Sequence, residues 1–196
     1  MSAIQDKLEK LADCYEANGF NVRKYLAPPL SRDQVLEGCS WFPHELPSQI
    51  IDMYTWSGGS LWPGEVEYPF FLIDDAVFST IEYAQSEYYS LQEIEQYDET
   101  CEIFGLDLAT CYPIALNDYS SYSVPCSDTH QWHQDYPAPV VSTFEIMQMH
   151  YHSIESMLDT NIEWMLHPEW AEYGHDGSIY DDILRKNNPG LKFHGE

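Results

Sequence analysis

Apolar residues recur at helical spacing from the start of the chain. Ile4, Leu8, Leu11 and Tyr15 fall on one face, and Gly19 is placed to end that helix. Asn21 to Pro29 breaks the pattern, with Ala27-Pro28-Pro29 extended and stiff. Ser31 followed by Gln34 reads as a capping box, and Val35 and Leu36 begin the apolar face of a second helix that Gly38 to Pro43 interrupts. In Glu45 to Trp62 (ELPSQIIDMYTWSGGSLW), Pro47 suits a first helical turn. Ile50, Ile51 and Tyr54 share a face, and Ser57-Gly58-Gly59 predicts a sharp stop. Trp56, Leu61 and Trp62 flank that corner and are expected to pin it to a core.

Beyond the corner, Trp62-Pro63-Gly64 reads as a turn and Tyr68 to Ile73 (YPFFLI) as a buried strand. Asp74 is placed to cap a helix running through Ala76, Val77, Ile81 and Ala84, in which Tyr83, Tyr88, Tyr89 and Tyr97 crowd among glutamates up to Thr100. Cys111 to Leu116 (CYPIAL), Tyr122 to Cys126 (YSVPC) and Pro139 to Phe144 (PVVSTF) read as strands. Asn117-Asp118 forms a turn, and a polar loop from Ser127 to Asp135 carries His130, Trp132 and His133. Pro125 belongs at an edge or a strand end. Ser153 predicts the cap of a helix whose apolar face is Ile154, Met157, Leu158, Ile162, Met165 and Leu166. A short helix, Tyr180 to Lys186, follows a turn at Gly174 to Ser178 and stops at Asn187-Asn188-Pro189-Gly190. Helices and strands in this order, without internal repeats, predict a single α+β domain over residues 1–196.

Composition changes this picture little. Of 196 residues, 44% are hydrophobic and 15% aromatic, which supports a folded core and not an acidic disordered tail. No apolar run approaches the roughly 20 residues that cross a bilayer, and the N-terminus lacks the basic and apolar blocks of a signal peptide. Five scattered cysteines (Cys14, Cys39, Cys101, Cys111, Cys126) fit reduced thiols. The expected location is therefore cytoplasmic.

Charge changes it more. Formal net charge is -25, from 33 acidic and 8 basic residues. No Lys or Arg lies between Asp33 and Leu184, while only Asp6, Glu9, Asp13, Glu16 and Glu196 of the acidic residues lie outside that span. Such a field repels nucleic acid and anionic membranes and attracts cationic proteins. A solvated surface that keeps the chain soluble is the simpler explanation. The sharper one is a surface that meets a basic protein, with steering that weakens as salt rises.

The series of motifs resembles the SUKH superfamily, in particular its Smi/Knr type of cell-wall regulator and bacterial immunity domain. The matching pieces are Leu46-Pro47, Tyr54, Trp56 with Gly58-Gly59, Phe70-Phe71-Leu72-Ile73, Tyr112-Pro113-Ile114-Ala115 before Asp118, and Pro139-Val140. The run Tyr151 to Thr160 and the closing Arg185-Lys186-Asn187-Asn188-Pro189-Gly190 complete them. The resemblance spans about Leu30 to Gly190. It implies a central, mostly antiparallel sheet packed by helices, with residues 1–29 an N-terminal helical extension and 82–100 an acidic, tyrosine-rich insertion. It also implies a protein-binding role, either immunity against a toxin such as a nuclease or a regulatory hub, with no catalytic constellation.

The residues suggest three kinds of chemistry. His130 with His133, and His150 with His152, sit close in sequence, and a His-x-His on a strand places both rings on one face, as zinc requires. No Cys-x-x-Cys or His-Glu-x-x-His motif supports a metal site, so none is assigned. No Gly-x-Ser-x-Gly elbow or phosphate-binding glycine loop is present, so no catalytic residue and no cofactor is assigned. Carboxylates at intervals can imitate phosphates and enter a nuclease groove, with aromatic anchors beside them. Glu65, Glu67, Glu82, Glu87, Tyr88, Tyr89, Glu93, Glu95, Asp98 and Glu99 form the expected partner-binding patch. The sequence thus predicts a non-enzymatic immunity-type protein with a basic protein partner, and neither nucleic acid nor membrane as a target. A regulatory adaptor and a metal-dependent or carboxylate-based hydrolase are the alternatives. Leu46, Trp56, Gly58, Gly59, Pro113, Tyr151, Asn188 and Pro189 are expected to be structural.

Overall fold

The computed structural model describes residues 1–61, 69–73, 75–93, 106–117, 121–130, 132, 134–136, 138–142, 148–168, 170 and 177–191. It is a single α+β domain. Its sheet has six strands in the order β1 (Phe71–Ile73), β2 (Ala76–Phe78), β3 (Cys111–Leu116), β4 (Ser121–Pro125), β5 (Val140–Ser142) and β6 (Gln148–Tyr151). Every neighbouring pair is antiparallel. The described α-helices are α1 (Ala3–Ala17), α2 (Arg32–Gly38), α3 (Ser48–Trp56), α4 (Ile81–Gln92), α5 (Ile154–Leu166) and α6 (Gly177–Asn187). None is long and apolar enough to cross a membrane.

The predicted caps at Ser31 and Ser153 form, and Ser2 adds a third. Ser2, Ser31 and Ser153 each accept a hydrogen bond from the backbone N–H three residues on, and Gln5, Gln34 and Ser156 return it. Helix α1 packs on α3 and α5, and α5 packs on α6. Ile4, Leu8 and Leu11 are therefore core residues beside Ile50, Tyr54, Met157 and Leu158. Leu36 and Leu166, expected on apolar faces, are instead exposed, at 46% and 61%.

The Gly-Gly corner is held by the extended Ala27-Pro28 segment. Ala27 N–H donates to the Gly59 carbonyl at 2.8 Å, Gly58 N–H donates to the Pro28 carbonyl at 3.1 Å, and Ser57 Oγ donates to the Ala27 carbonyl at 2.9 Å. Gly59 has φ of 110°, a conformation that favours glycine. Pro47 is the N-cap of α3 and not part of its first turn. Trp56 is half-buried and donates its indole N–H to Glu9 at 2.9 Å. Leu61 is exposed and does not pin the corner; Trp62, with the Trp62-Pro63-Gly64 turn, lies outside the described residues.

Two elements differ from expectation: β6 is a strand where the sequence pattern predicts none, and β2 stands where a helix is expected to begin. Residues 76–78 are a strand and not the start of a helix, and α4 begins only at Ile81, with Thr80 as its N-cap. Asp74 lies outside the described residues. The reason is tertiary: Val77 and Phe78 pair with Leu116 and Ala115 of β3, and all three β2 residues are buried. Strand β3 is buried along its whole length. Pro113 is tolerated at its centre because the pairing with β4 shifts register between Pro113 and Ala115. The main core includes Tyr112, Ile114 and Val124, while Leu106, Leu108, Cys111 and Val141 form a smaller cluster with Trp132. At the C-terminal end, Asn188 is fully buried. Its carboxamide accepts from the His152 N–H at 2.9 Å and donates to the Leu184 carbonyl at 3.0 Å, tying β6 to α6. Pro189 beside it is exposed.

Candidate protein-binding surface

The segment between α2 and α3 is anchored by a buried polar chain. Cys39 Sγ lies 3.3 Å from the Tyr112 hydroxyl, which donates to the Tyr54 hydroxyl at 3.2 Å. Burial drives the phenols of Tyr54 and Tyr112 well above their ordinary range, so both stay neutral donors. On this anchor the next residues build an aromatic platform. Trp41 stacks on Tyr112 at 5.6 Å, and Phe42 meets Tyr112 edge-on at 5.3 Å and Tyr88 at 5.5 Å. His44 lies 5.5 Å from Phe42, and Tyr89 of α4 lies 6.3 Å from Trp41. Tyr112 and Tyr88 are the buried end of this platform; Tyr89, 49% exposed, with half-buried Trp41 and His44, is its outer rim.

Exposed carboxylates border the rim. Glu82 and Tyr89 of α4 and its C-cap Glu93 fall on one stripe at helical spacing, and all three are exposed. On the other side, a cleft of about 700 Å³ is lined by His44 and Glu45 and, across from them, Cys126, Ser127 and Asp128 at the end of β4. Glu45 and Asp128 are exposed. None of these four carboxylates takes part in an ion pair among the described residues.

The cations lie elsewhere. Lys7 of α1 pairs with Asp159 of α5 at 2.5 Å, and Lys186 of α6 pairs with Glu163 of α5 at 2.6 Å. Arg23 meets Glu9, Asp13 and Glu16 at 2.6, 2.8 and 2.7 Å. Accordingly Glu9 is held below the usual carboxylate range, first by the Trp56 indole and then by Arg23, and Glu163 by Lys186. Lys7, Arg23 and Lys186 are thus paired at the layer of α1, α5 and α6, while the four carboxylates of the platform rim have no ion-pair partner among the described residues.

The expected patch divides in this structure. Glu82, Tyr89 and Glu93 reach the surface. Glu87 turns inward to Ser121, and burial raises its carboxyl. Tyr88 is a core residue whose hydroxyl donates to the Ala109 carbonyl at 3.1 Å, which removes it from the partner-binding set. Glu65, Glu67, Glu95, Asp98 and Glu99 lie outside the described residues. Trp41, His44, Glu45 and Asp128 lie on the same face and are not in the expected patch. The Trp41-Phe42 pair inside an apparent helix breaker was the available signal, since two adjacent aromatics in a loop need a packing surface.

The histidines do not converge among the described residues. His152 stacks on Tyr136 at 3.9 Å, one residue past the end of β6, and His150 sits 5.3 Å from the Tyr122 ring. His130 is buried near Trp132; His133 is outside the described residues. No group of three or more His, Cys, Asp or Glu is arranged to hold a metal among the described residues. Burial raises the thiols of Cys14, Cys39 and Cys126, the last pushed up to about 12. These thiols are protonated at neutral pH and poor nucleophiles. No family model matches the chain, and no curated protein matches it.

Proposed function

We propose that this chain is a cytoplasmic, non-enzymatic protein-binding domain of the SUKH type, and that its acidic, aromatic-rimmed face captures a basic protein. The reading is most specific as an immunity-type role, in which the partner is a toxin such as a nuclease. The observation that carries it is the separation of charge. Lys7, Arg23 and Lys186 are paired on the helical layer, whereas Glu82, Glu93, Glu45 and Asp128 border the Trp41–Tyr89 rim with no ion-pair partner among the described residues. Carboxylates at such spacing engage the Lys and Arg that line a phosphate-binding groove. A rigid ring cluster beside them supplies the desolvated anchor that interfaces need. Its rings are held from beneath by Tyr112, so little conformational entropy is lost on binding.

The test is capture from native cell extract by the immobilised full chain at low salt and again at high salt, read by mass spectrometry. One basic protein recovered near one-to-one, and released as salt rises, is the expected result. That protein is then assayed for toxicity with and without the chain. Recovery of no protein, or of one whose retention is indifferent to salt, would overturn the proposal.

A further inference from the structure

A second concavity shares no lining residue with the acidic cleft. It lies between α1, the 3-10 turn Val22–Tyr25, β1 and the end of α5, with a volume of about 220 Å³. Its walls include the rings of Tyr15, Phe20, Phe71, Trp164 and Trp170, and Asp75 is the one acidic residue among its described lining. Phe20 stands perpendicular to Trp170 (5.6 Å, 87°) and nearly so to Tyr15 (6.4 Å, 81°). Rings set at right angles form adjoining walls and do not collapse into a stack.

The walls are fixed from outside. The Tyr15 hydroxyl donates to the Phe71 carbonyl at 3.1 Å, which pins the phenol, and Trp164 is held edge-on by Tyr180 at 5.9 Å. The lining runs from buried Trp164, 2% exposed, to exposed Asp75, whose carboxylate accepts from Asn117 at 2.7 Å. The negative group therefore stands toward solvent and the aromatic surface lies inside. No Lys or Arg is among the described residues that line the cavity.

We propose that this cavity is an aromatic cage for a quaternary ammonium head group. Aromatic faces attract a cation within about 6 Å of the ring centroid, and most strongly when it is desolvated. A primary ammonium is strongly hydrated and needs several acceptors. Among its described lining residues it offers few, chiefly the carboxylate of Asp75 and the carboxamide of Asn161, whose Nδ2 already donates to the Met157 carbonyl at 2.8 Å. A methylated cation, which presents only methyl groups, fits that lining. At about 220 Å³ the cavity is smaller than the roughly 300–1,000 Å³ of drug-sized sites, so it takes a head group and not a large ligand. The acidic field of the chain, at -25, raises the local concentration of such a cation.

The test compares choline with 3,3-dimethyl-1-butanol, its uncharged isostere, on the full chain at constant ionic strength. Binding is read from tryptophan indole signals by NMR, with Trp170→Phe used to assign Trp170. Choline is expected to shift the Trp170 signal saturably, and the isostere to bind at least about fivefold more weakly, which is about 1 kcal/mol. Trp170→Ala and, independently, Asp75→Asn are expected to weaken choline by at least about threefold. Asp75 is exposed, so that variant tests the site even if Trp170→Ala fails to fold. Competition with N-acetyl-trimethyllysine amide assigns the source: tighter binding than choline points to a modified side chain, weaker binding to a free solute, and both support the cage. Equal binding of the isostere, an indole shift reproduced by sodium chloride, no shift, or choline affinity unchanged in Asp75→Asn would overturn it.

Discussion

Replacing Gly59 by alanine tests the corner that joins α3 to the sheet. Two penalties coincide there. The φ of 110° strains any L side chain, at about 1–3 kcal/mol. The added Cβ would also lie 2.7 Å from Thr80 N and 2.8 Å from both Ser79 O and Thr80 Cα. All three are backbone atoms, so no side chain can swing aside. They belong to the junction of β2 and α4, where Ser79 N–H donates to the Ile114 carbonyl at 3.1 Å and Thr80 caps α4. Overpacking a rigid site costs about 1–3 kcal/mol, so Gly59→Ala is expected to destabilise by about 3–5 kcal/mol. Two other glycines separate the contributions. Gly190 has φ of 83° with nothing within 4 Å of its Cβ, so Gly190→Ala should cost only the strain, about 1–2 kcal/mol. Gly58 has no such φ, but its Cβ would meet the Pro28 carbonyl oxygen at 2.9 Å, so Gly58→Ala should cost about 1–3 kcal/mol. The assay is equilibrium urea unfolding. With a slope of roughly 2 kcal/mol/M, Gly59→Ala should lower the midpoint by about 1.5–2.5 M without changing the slope. A midpoint shift no larger than that of Gly190→Ala would refute the close approach of the corner to Ser79 and Thr80.

Other predictions follow from buried polar groups. Asn188→Ala should cost about 2–3 kcal/mol in the same assay, because it leaves the His152 N–H without its acceptor; a change under about 0.5 kcal/mol would contradict that role. Tyr112→Phe should cost about 1–2 kcal/mol by removing the hydroxyl between Cys39 and Tyr54, and near-neutrality would show that the chain of bonds adds nothing. Both ring nitrogens of His150 are shut from solvent with no hydrogen-bond partner among the described residues, and burial depresses its pKa to about 4. The folded value lies below the unfolded one. Stability from the neutral ring is thus full above about pH 6.5 and falls by about 1.4 kcal/mol per pH unit down to about pH 4, about 3 kcal/mol in all. His150→Phe should flatten the slope of stability between pH 6.5 and 4 by about one proton, and an unchanged slope would contradict the burial.

Local signals were legible in the sequence where one side chain decides the outcome. The capping box at Ser31, the cap at Ser153, the stop at Ser57-Gly58-Gly59 and the strand Cys111–Leu116 rest on short-range chemistry, and the described structure has a cap, a helix end or a strand at each. What depends on distant pairing was not legible. Ala76-Val77-Phe78 carries no alternation, because both faces are covered, and only its pairing with β3 makes it a strand. The same limit applies to the surface. Tyr88 and Tyr89 are adjacent in one acidic helix, yet one is core and the other 49% exposed, because Trp41 and Phe42 arrive from a segment far earlier in the chain. Asp128 and Glu45 face one cleft only after β4 is laid beside the start of α3.

The most direct test of the binding face compares the wild-type chain with the variant Glu45→Gln/Glu82→Gln/Glu93→Gln/Asp128→Asn. All four residues are exposed, so the variant should keep its urea midpoint within the error of the assay. Each chain is immobilised and its capture of the basic partner from native extract is quantified against salt. The proposed face predicts a partner held by the wild type at low salt, at least tenfold less recovery by the variant, and a shallower salt dependence in what remains. Equal recovery by both chains, at every salt concentration, would contradict it.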